Sequence, residues 1–140
     1  MSYDADFREL ADRVIAGLAE TGAELDYDRD SVAWIDAYIE RNREHFSEEE
    51  ANKVANNLGA FVGECLRAAH GGTWVLHKQS GEWGVDLGGK LGTAFPAAKI
   101  YKQLRNGSED SVLSFFEVVG AIVAAGGIDR LGSGQQNNEG

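Results

Sequence analysis

The residues of this chain that could do nucleophilic or metal chemistry are one cysteine and the side chains near it. Cys65 follows Glu64, with His70 and His77 downstream. A nucleophilic cysteine needs a lowered thiol pKa, usually from a helix N-terminus or an adjacent cation. Cys65 falls instead on the apolar stripe near the C-terminal end of a predicted helix, and residues 65 and 70 point apart on that helix. Since the spacing also matches no zinc motif, we predict a core cysteine, no metal site and no catalytic residue.

Glu64 is the one carboxylate in an otherwise apolar stretch, AFVGECL. We expect an ordinary solvated glutamate on the flank of the helix. The alternative is a carboxylate that accepts hydrogen bonds from the backbone of a neighbouring hairpin or from a tryptophan N–H. A catalytic role has no support from spacing, since no second carboxylate can be placed beside it from the sequence.

Two tryptophans, Trp74 and Trp83, stand nine residues apart in GTWVLHKQSGEWG, on what read as neighbouring strands. Aromatic side chains at such positions most often cover a core. A partly exposed pair would instead form a binding surface. Both interpretations stay open from the sequence.

The net charge of −10 is unevenly distributed, because residues 1–66 hold 16 acids against 6 bases and residues 67–140 hold 7 of each. The acidic half should repel nucleic acid and anionic membranes. Between Asp86 and Glu109 there is no acid, and the four bases of this basic window are Lys90, Lys99, Lys102 and Arg105. The window is either a solvated face that neutralises the acidic half or a contact surface for an acidic partner, including a second copy of the chain.

Length and composition indicate one globular domain. The chain has 140 residues, of which 43% are hydrophobic and 26% charged. It has no apolar run long enough to span a membrane, and its acidic N-terminus does not resemble a secretory signal. A single cysteine cannot form an internal disulfide, which fits a reducing compartment. We therefore expect a cytoplasmic protein.

The elements that must position these residues follow from changes in hydrophobic period. The pattern predicts helices over 4–22, from residue 30 or 31 to about 46, over 47–70, over 96–104 and, capped by residues 108–110, to 125. Ser47 with Glu50 three residues later predicts a capping box at the start of the third helix. Strands are predicted over 73–77 and 82–87, with a possible third strand over 90–95. In the third helix, Gly59 and Gly63 share one flank, which suggests that another element packs very close there. We predict an α+β domain over 1–128: three N-terminal helices, a small antiparallel β-hairpin or three-stranded sheet, and two C-terminal helices. A disordered tail is predicted over 129–140.

Four segments, SVAWIDAYIE, GAFVGECLRAAHGGTW, EWGVDLGG and FPAAKIYKQLRNGSEDSVLSFFEVV, carry a resemblance to a known family. They resemble an uncharacterised family of small bacterial proteins known only as a domain of unknown function. The shared features are a G-x-x-x-G-E helix, a G-G-x-W strand start and an F-P…K…L-x-N-G-x-E-D-S junction, over about residues 30–120. The resemblance implies a bacterial protein and brings no established activity, cofactor or catalytic residue.

The leading functional hypothesis is a non-enzymatic protein that acts by binding another protein or a second copy of itself. The alternative is a small-molecule site for an anionic metabolite, between the hairpin and the flank of the helix that carries Gly59 and Gly63. Enzymatic activity stays open, although the missing catalytic set argues against it, and no cofactor is predicted. The candidate binding residues are Glu64, Trp74, Trp83, Lys99, Lys102 and Arg105.

Overall fold

A computed structural model describes residues 2–127, which form five α-helices and one three-stranded antiparallel sheet. The helices are α1 (Asp4–Ala19), α2 (Arg29–Asn42), α3 (Glu48–His70), α4 (Pro96–Asn106) and α5 (Val112–Ala125). The strands are β1 (Thr73–His77), β2 (Glu82–Asp86) and β3 (Thr93–Ala94). This is the predicted α+β order of three helices, a sheet and two helices. The tail predicted over 129–140 lies outside the described residues.

Two N-terminal helices begin at polar caps. The side chain of Asp28 accepts a hydrogen bond of 2.8 Å from the Ser31 N–H, so α2 begins one residue before the predicted start. The predicted capping box at α3 is confirmed: the Glu50 N–H donates to the Ser47 hydroxyl at 3.1 Å, and the Ser47 N–H donates to the Glu50 carboxylate at 3.0 Å.

The start of α5 differs from the prediction. Residues 108–110 were predicted to cap this helix, but they form a single 3₁₀ turn, and Ser111 is the cap, accepting from the Ser114 N–H at 3.2 Å. The physical reason is that the Asp110 carboxylate is already engaged by Lys99 at 3.1 Å and by Asn106 at 2.9 Å.

Helix α3 is central, and it contacts all four other helices and β2. Apart from three alanines, its buried apolar side chains are Leu58, Phe61, Val62, Cys65 and Leu66. The close packing predicted at the two glycines is confirmed, with a different neighbour at each. A β-carbon at Gly59 would lie 2.6 Å from Cβ of Ala97, and one at Gly63 would lie 2.1 Å from Cζ2 of Trp74.

The sheet has the order β1-β2-β3, so the predicted third strand exists, although it is shortened to two residues. Residues 89–91, inside the predicted range, form a 3₁₀ turn instead. In the register of β1 with β2, Trp74 lies opposite Val85 and Leu76 lies opposite Trp83. Both tryptophans therefore lie on one face of the sheet.

Helix α5 buries only part of its apolar surface. Only Val112, Phe116 and Val119 are buried in this helix, and Val118 is 57% exposed. Apolar side chains thus continue around α5 onto a face that the rest of residues 2–127 covers incompletely. Among the helices described, none is both long and apolar enough to cross a membrane.

Candidate functional site

Glu64 is buried, with 1% of its surface exposed. Its carboxylate accepts a hydrogen bond of 2.8 Å from Nε1 of Trp74 and two of 3.0 and 2.9 Å from Nη1 of Arg67. Nη1 of Arg8 lies 3.6 Å away. The expectation of a solvated glutamate is wrong, because α1 and β1 cover the flank of α3 that carries it. The alternative, an acceptor for a tryptophan N–H, is what the structure shows.

Arg67 extends this cluster to the N-terminus of α1. Its Nη2 lies 3.2 Å from Oδ2 of Asp4, and its Nε donates to the Gly72 carbonyl at 3.0 Å. Asp4 also accepts from the Trp74 backbone N–H at 2.7 Å and from the Thr73 hydroxyl at 2.8 Å. Partial burial raises the pKa of Asp4, but these hydrogen bonds and Arg67 outweigh it and hold the pKa below its usual value. The cluster joins α1, α3 and β1, and its carboxylates are occupied by protein donors.

Trp74 begins a chain of aromatic contacts, here called the aromatic wall, that consists of Trp74, Phe7, Trp83 and Tyr3. The Phe7 ring stacks on Trp74 at a centroid distance of 3.9 Å and an interplanar angle of 12°. Trp83 lies 5.3 Å from Phe7 and 4.8 Å from Tyr3, in tilted and edge-to-face geometry. Such geometries are favourable for aromatic pairs, so each ring of the wall is held by its neighbour.

Three members of the aromatic wall, Phe7, Trp74 and Trp83, form one side of a cavity of about 600 Å³. This cavity, here called the hairpin slot, lies between α1, the hairpin, α3 and α4. Tyr101 is its other aromatic side chain, and its floor contains the small residues Ala55, Gly59 and Ala97. Of the flank where the sequence predicted a pocket, Gly59 lines the slot and Gly63 does not, because Trp74 fills the space at Gly63. Trp74 and Trp83 line the slot. Glu64 and Lys99 do not line it, since Trp74 covers the first and Asp110 holds the second on another side of α4.

A second cavity, here called the α4–α5 groove, lies between α4, α5 and the segment from β2 to β3, and has a volume of about 420 Å³. Its apolar lining includes Leu87, Leu91, Phe95, Phe115, Val118 and Ile122. Lys99 and Lys102 also line it. Sequence reasoning did not identify this groove, although the long apolar composition of α5, beyond one stripe, was a visible sign of an uncovered face.

The basic window does not form a single patch. Lys99 is paired with Asp110 at 3.1 Å, whereas Lys102, on the exposed side of α4, has no carboxylate within 4.0 Å among residues 2–127. Lys102 lines both the hairpin slot and the α4–α5 groove. Arg105 lies apart from both, beside Arg43 in a separate shallow cleft. Of the predicted bases, Lys102 is thus the one placed to meet a ligand.

Cys65 is buried in the core, as predicted. Burial raises the pKa of its thiol well above the usual value, and the nearby charges of Asp28 and Glu64 raise it further. A thiol in this environment is a poor nucleophile. Within the described part of the chain, no group of three or more histidine, cysteine or acidic side chains is placed to hold a metal ion.

One buried polar cluster was missed by sequence reasoning. Gln103 is fully buried, and its Nε2 donates to Glu40 at 2.9 Å and to Asp36 at 3.2 Å. Its Oε1 accepts from the Val112 N–H at 2.9 Å, and Asp36 accepts from the Leu113 N–H at 3.0 Å. The signal was the position of Gln103 three residues after Ile100, on the inward face of α4. The cluster joins α2 and α4 to the first turn of α5, which is a structural role.

Comparison of the chain with protein-family models, with curated proteins and with solved structures finds no match. The resemblance to an uncharacterised family stays a prediction. Function must therefore be argued from the structure, and the features that bear on it are the two cavities on either side of α4. Both cavities are lined by Ala98, Lys102 and Glu82.

Proposed function

We propose that this chain binds another protein through the α4–α5 groove, and that the bound segment has an apolar face with acidic flanks. The observation that carries the proposal is an open apolar groove whose lining includes Val118, which is 57% exposed. An exposed apolar patch rimmed by charge is typical of protein contact sites.

Charge supports an acidic partner. Of the side chains that line the groove, Lys99 and Lys102 are basic and Glu82 is acidic, whereas the whole chain carries a net charge of −10. Because Asp110 neutralises Lys99, the lining cation left to meet an acidic segment is Lys102, which has no carboxylate within 4.0 Å among residues 2–127. A basic segment would be attracted to the acidic half of the chain rather than to the groove, whereas an acidic segment would be repelled by that half and attracted to Lys102 in the groove.

A photo-crosslinking residue at position 118 tests the proposal in extracts of the cell of origin. Ala16, an exposed position on α1, is the matched control site. We expect position 118 to give one dominant adduct whose crosslinked segment is acidic, and position 16 to give none. The Lys102→Glu substitution should reduce the adduct, because it replaces attraction to an acidic segment by repulsion.

The result that would contradict the proposal is equal capture from positions 118 and 16, or capture that Lys102→Glu leaves unchanged. An adduct between two copies of this chain would assign the groove to self-association. In that case the groove would still be a protein interface, but its partner would be a second copy of this chain.

A further inference from the structure

The hairpin slot has a wall that is held from behind. Trp83 contacts Phe7 and Tyr3, Phe7 stacks on Trp74, and the indole N–H of Trp74 is fixed by the buried Glu64. These contacts restrict rotation of the Trp83, Phe7 and Trp74 side chains. The slot is therefore preformed, which lowers the entropy cost of binding a ligand there.

The floor of the slot is made of small side chains. Gly59 and Ala97 meet where α3 crosses α4, so close that a β-carbon at Gly59 would lie 2.6 Å from Cβ of Ala97. Ala55 and Ala60 continue this floor and are buried. Small side chains leave room for a ligand to lie against the aromatic side chains, and a flat ring makes more contact with Trp83 and Tyr101 than a bulky aliphatic group does.

The α3 edge of the slot carries two amides. Asn52 and Asn56 lie one turn apart on α3, and both line the slot. Nδ2 of Asn52 donates to the Glu48 carbonyl at 3.3 Å, which leaves its Oδ1 to accept. Within residues 2–127 the side-chain amide of Asn56 makes no hydrogen bond. The edge can thus offer both a donor and an acceptor to the rim of a ring.

We infer that the hairpin slot binds a small, uncharged, planar heteroaromatic compound, with its ring between Trp83 and Tyr101 and its polar edge at Asn56. The sequence suggested an anionic metabolite. In the structure, however, Lys102 is accompanied by the acid Glu82, and these are the only charged side chains among the described residues that line the slot. The lining therefore has no net charge, and its aromatic surface provides most of the contact.

The test uses the full chain, ¹⁵N-labelled, and three probes: adenine, nicotinamide and cyclohexanecarboxamide. The last has the amide of nicotinamide on a saturated ring, so it controls for aromaticity. We expect adenine or nicotinamide to give saturable shifts of the Trp83 indole N–H and the Asn56 side-chain amide, with Trp34 unmoved. Cyclohexanecarboxamide should bind at least about tenfold more weakly.

Two variants complete the test. Asn56→Ala, on the exposed face of α3, should weaken the binding of the aromatic probe about fivefold without unfolding the chain. Val118→Ala, in the α4–α5 groove, should leave that binding unchanged. The inference is overturned if neither aromatic probe shifts the slot at about 10 mM, if the saturated probe binds equally well, or if Asn56→Ala has no effect. These results would not affect crosslinking of a protein at position 118, which tests the α4–α5 groove. The two proposals can therefore be contradicted independently.

Discussion

The indole N–H of Trp74 donates a hydrogen bond of 2.8 Å to the carboxylate of Glu64, a side chain that is 1% exposed in the central helix. This bond fixes the first tryptophan of the hairpin against α3, in the space that Gly63 leaves by having no side chain. Phe7 stacks on the same indole. A buried charge, a glycine and an aromatic stack thus place the hairpin, and with it one wall of the hairpin slot.

Replacing Glu64 by alanine should destabilise the fold by about 3 kcal/mol. The substitution leaves the Trp74 N–H and the partly buried Arg67 without their acceptor, and breaking one side of a buried pair is costly. Urea unfolding followed by tryptophan fluorescence measures the change in the free energy of unfolding. Glu49→Ala removes an exposed glutamate paired with Lys53 on the same helix and should change stability by less than about 0.5 kcal/mol. Equal effects of the two substitutions would contradict a stabilising role for Glu64.

Replacing two helical glycines by alanine should change the stability of the fold in opposite directions. Gly63→Ala should destabilise by about 2 kcal/mol or more, because its β-carbon would lie 2.1 Å from Cζ2 of Trp74 and would force the indole to move. Gly17→Ala in α1 should stabilise by up to about 1 kcal/mol, since a β-carbon there has nothing within 4 Å and alanine is the better helix former. Thermal unfolding of the two variants checks the signs. A neutral Gly63→Ala would show that the indole can shift at little cost.

The contrast between Gly63 and Glu64 shows what the sequence could predict. The four-residue spacing of Gly59 and Gly63 predicted a close approach, since glycine inside a helix needs a packing reason. The element order and the capping box followed from local rules in the same way. The environment of Glu64 did not, because it depends on a tryptophan ten residues later whose position is set by tertiary packing. The α4–α5 groove was missed for a similar reason, since hydrophobicity alone does not say which apolar residues of α5 stay uncovered.

Replacing Gln103 by an apolar residue should destabilise the fold. Gln103→Leu removes the acceptor for the Val112 N–H at the start of α5 and the donor to Asp36 and Glu40. We expect a loss of about 2 kcal/mol, the cost of unsatisfied buried polar groups. Denaturant unfolding measures it, with Gln79→Leu in the exposed hairpin turn as control. If Gln103→Leu were as stable as the parent, the cluster would contribute no net stability.

Cys65 should be unreactive in the folded chain. Its side chain is buried, so a reagent cannot reach the sulfur in the folded chain. Burial also raises the pKa of the thiol, so little thiolate forms at neutral pH. Ellman's reagent should modify the native protein only as fast as it unfolds, and should react at once in concentrated urea. Rapid reaction of the native protein at neutral pH would show that the core around Cys65 opens readily.

Asp4 should make the stability depend on pH in the acidic range. Its pKa in the folded chain is lowered, because hydrogen bonds from Trp74 and Thr73 and the charge of Arg67 outweigh the opposing effect of burial. A carboxyl whose folded pKa lies below its unfolded value, about 3.9, contributes stability that is fully present above that value. The contribution is lost as the pH falls through the folded pKa. The free energy of unfolding should therefore decline below about pH 4, and Asp4→Asn should flatten that decline.

The matched control for this pH dependence is Asp6→Asn. Asp6 lies in the same first turn of α1 and is exposed, and within residues 2–127 its carboxylate makes no hydrogen bond or ion pair. Both substitutions remove one negative charge near the N-terminus of the helix, so a general dipole or net-charge effect would act on both alike. We expect unfolding measured between about pH 7 and pH 3 to show converging curves for the parent and Asp4→Asn, and nearly parallel curves for the parent and Asp6→Asn. Parallel curves for the parent and Asp4→Asn would mean that protonation of Asp4 does not lower the free energy of unfolding.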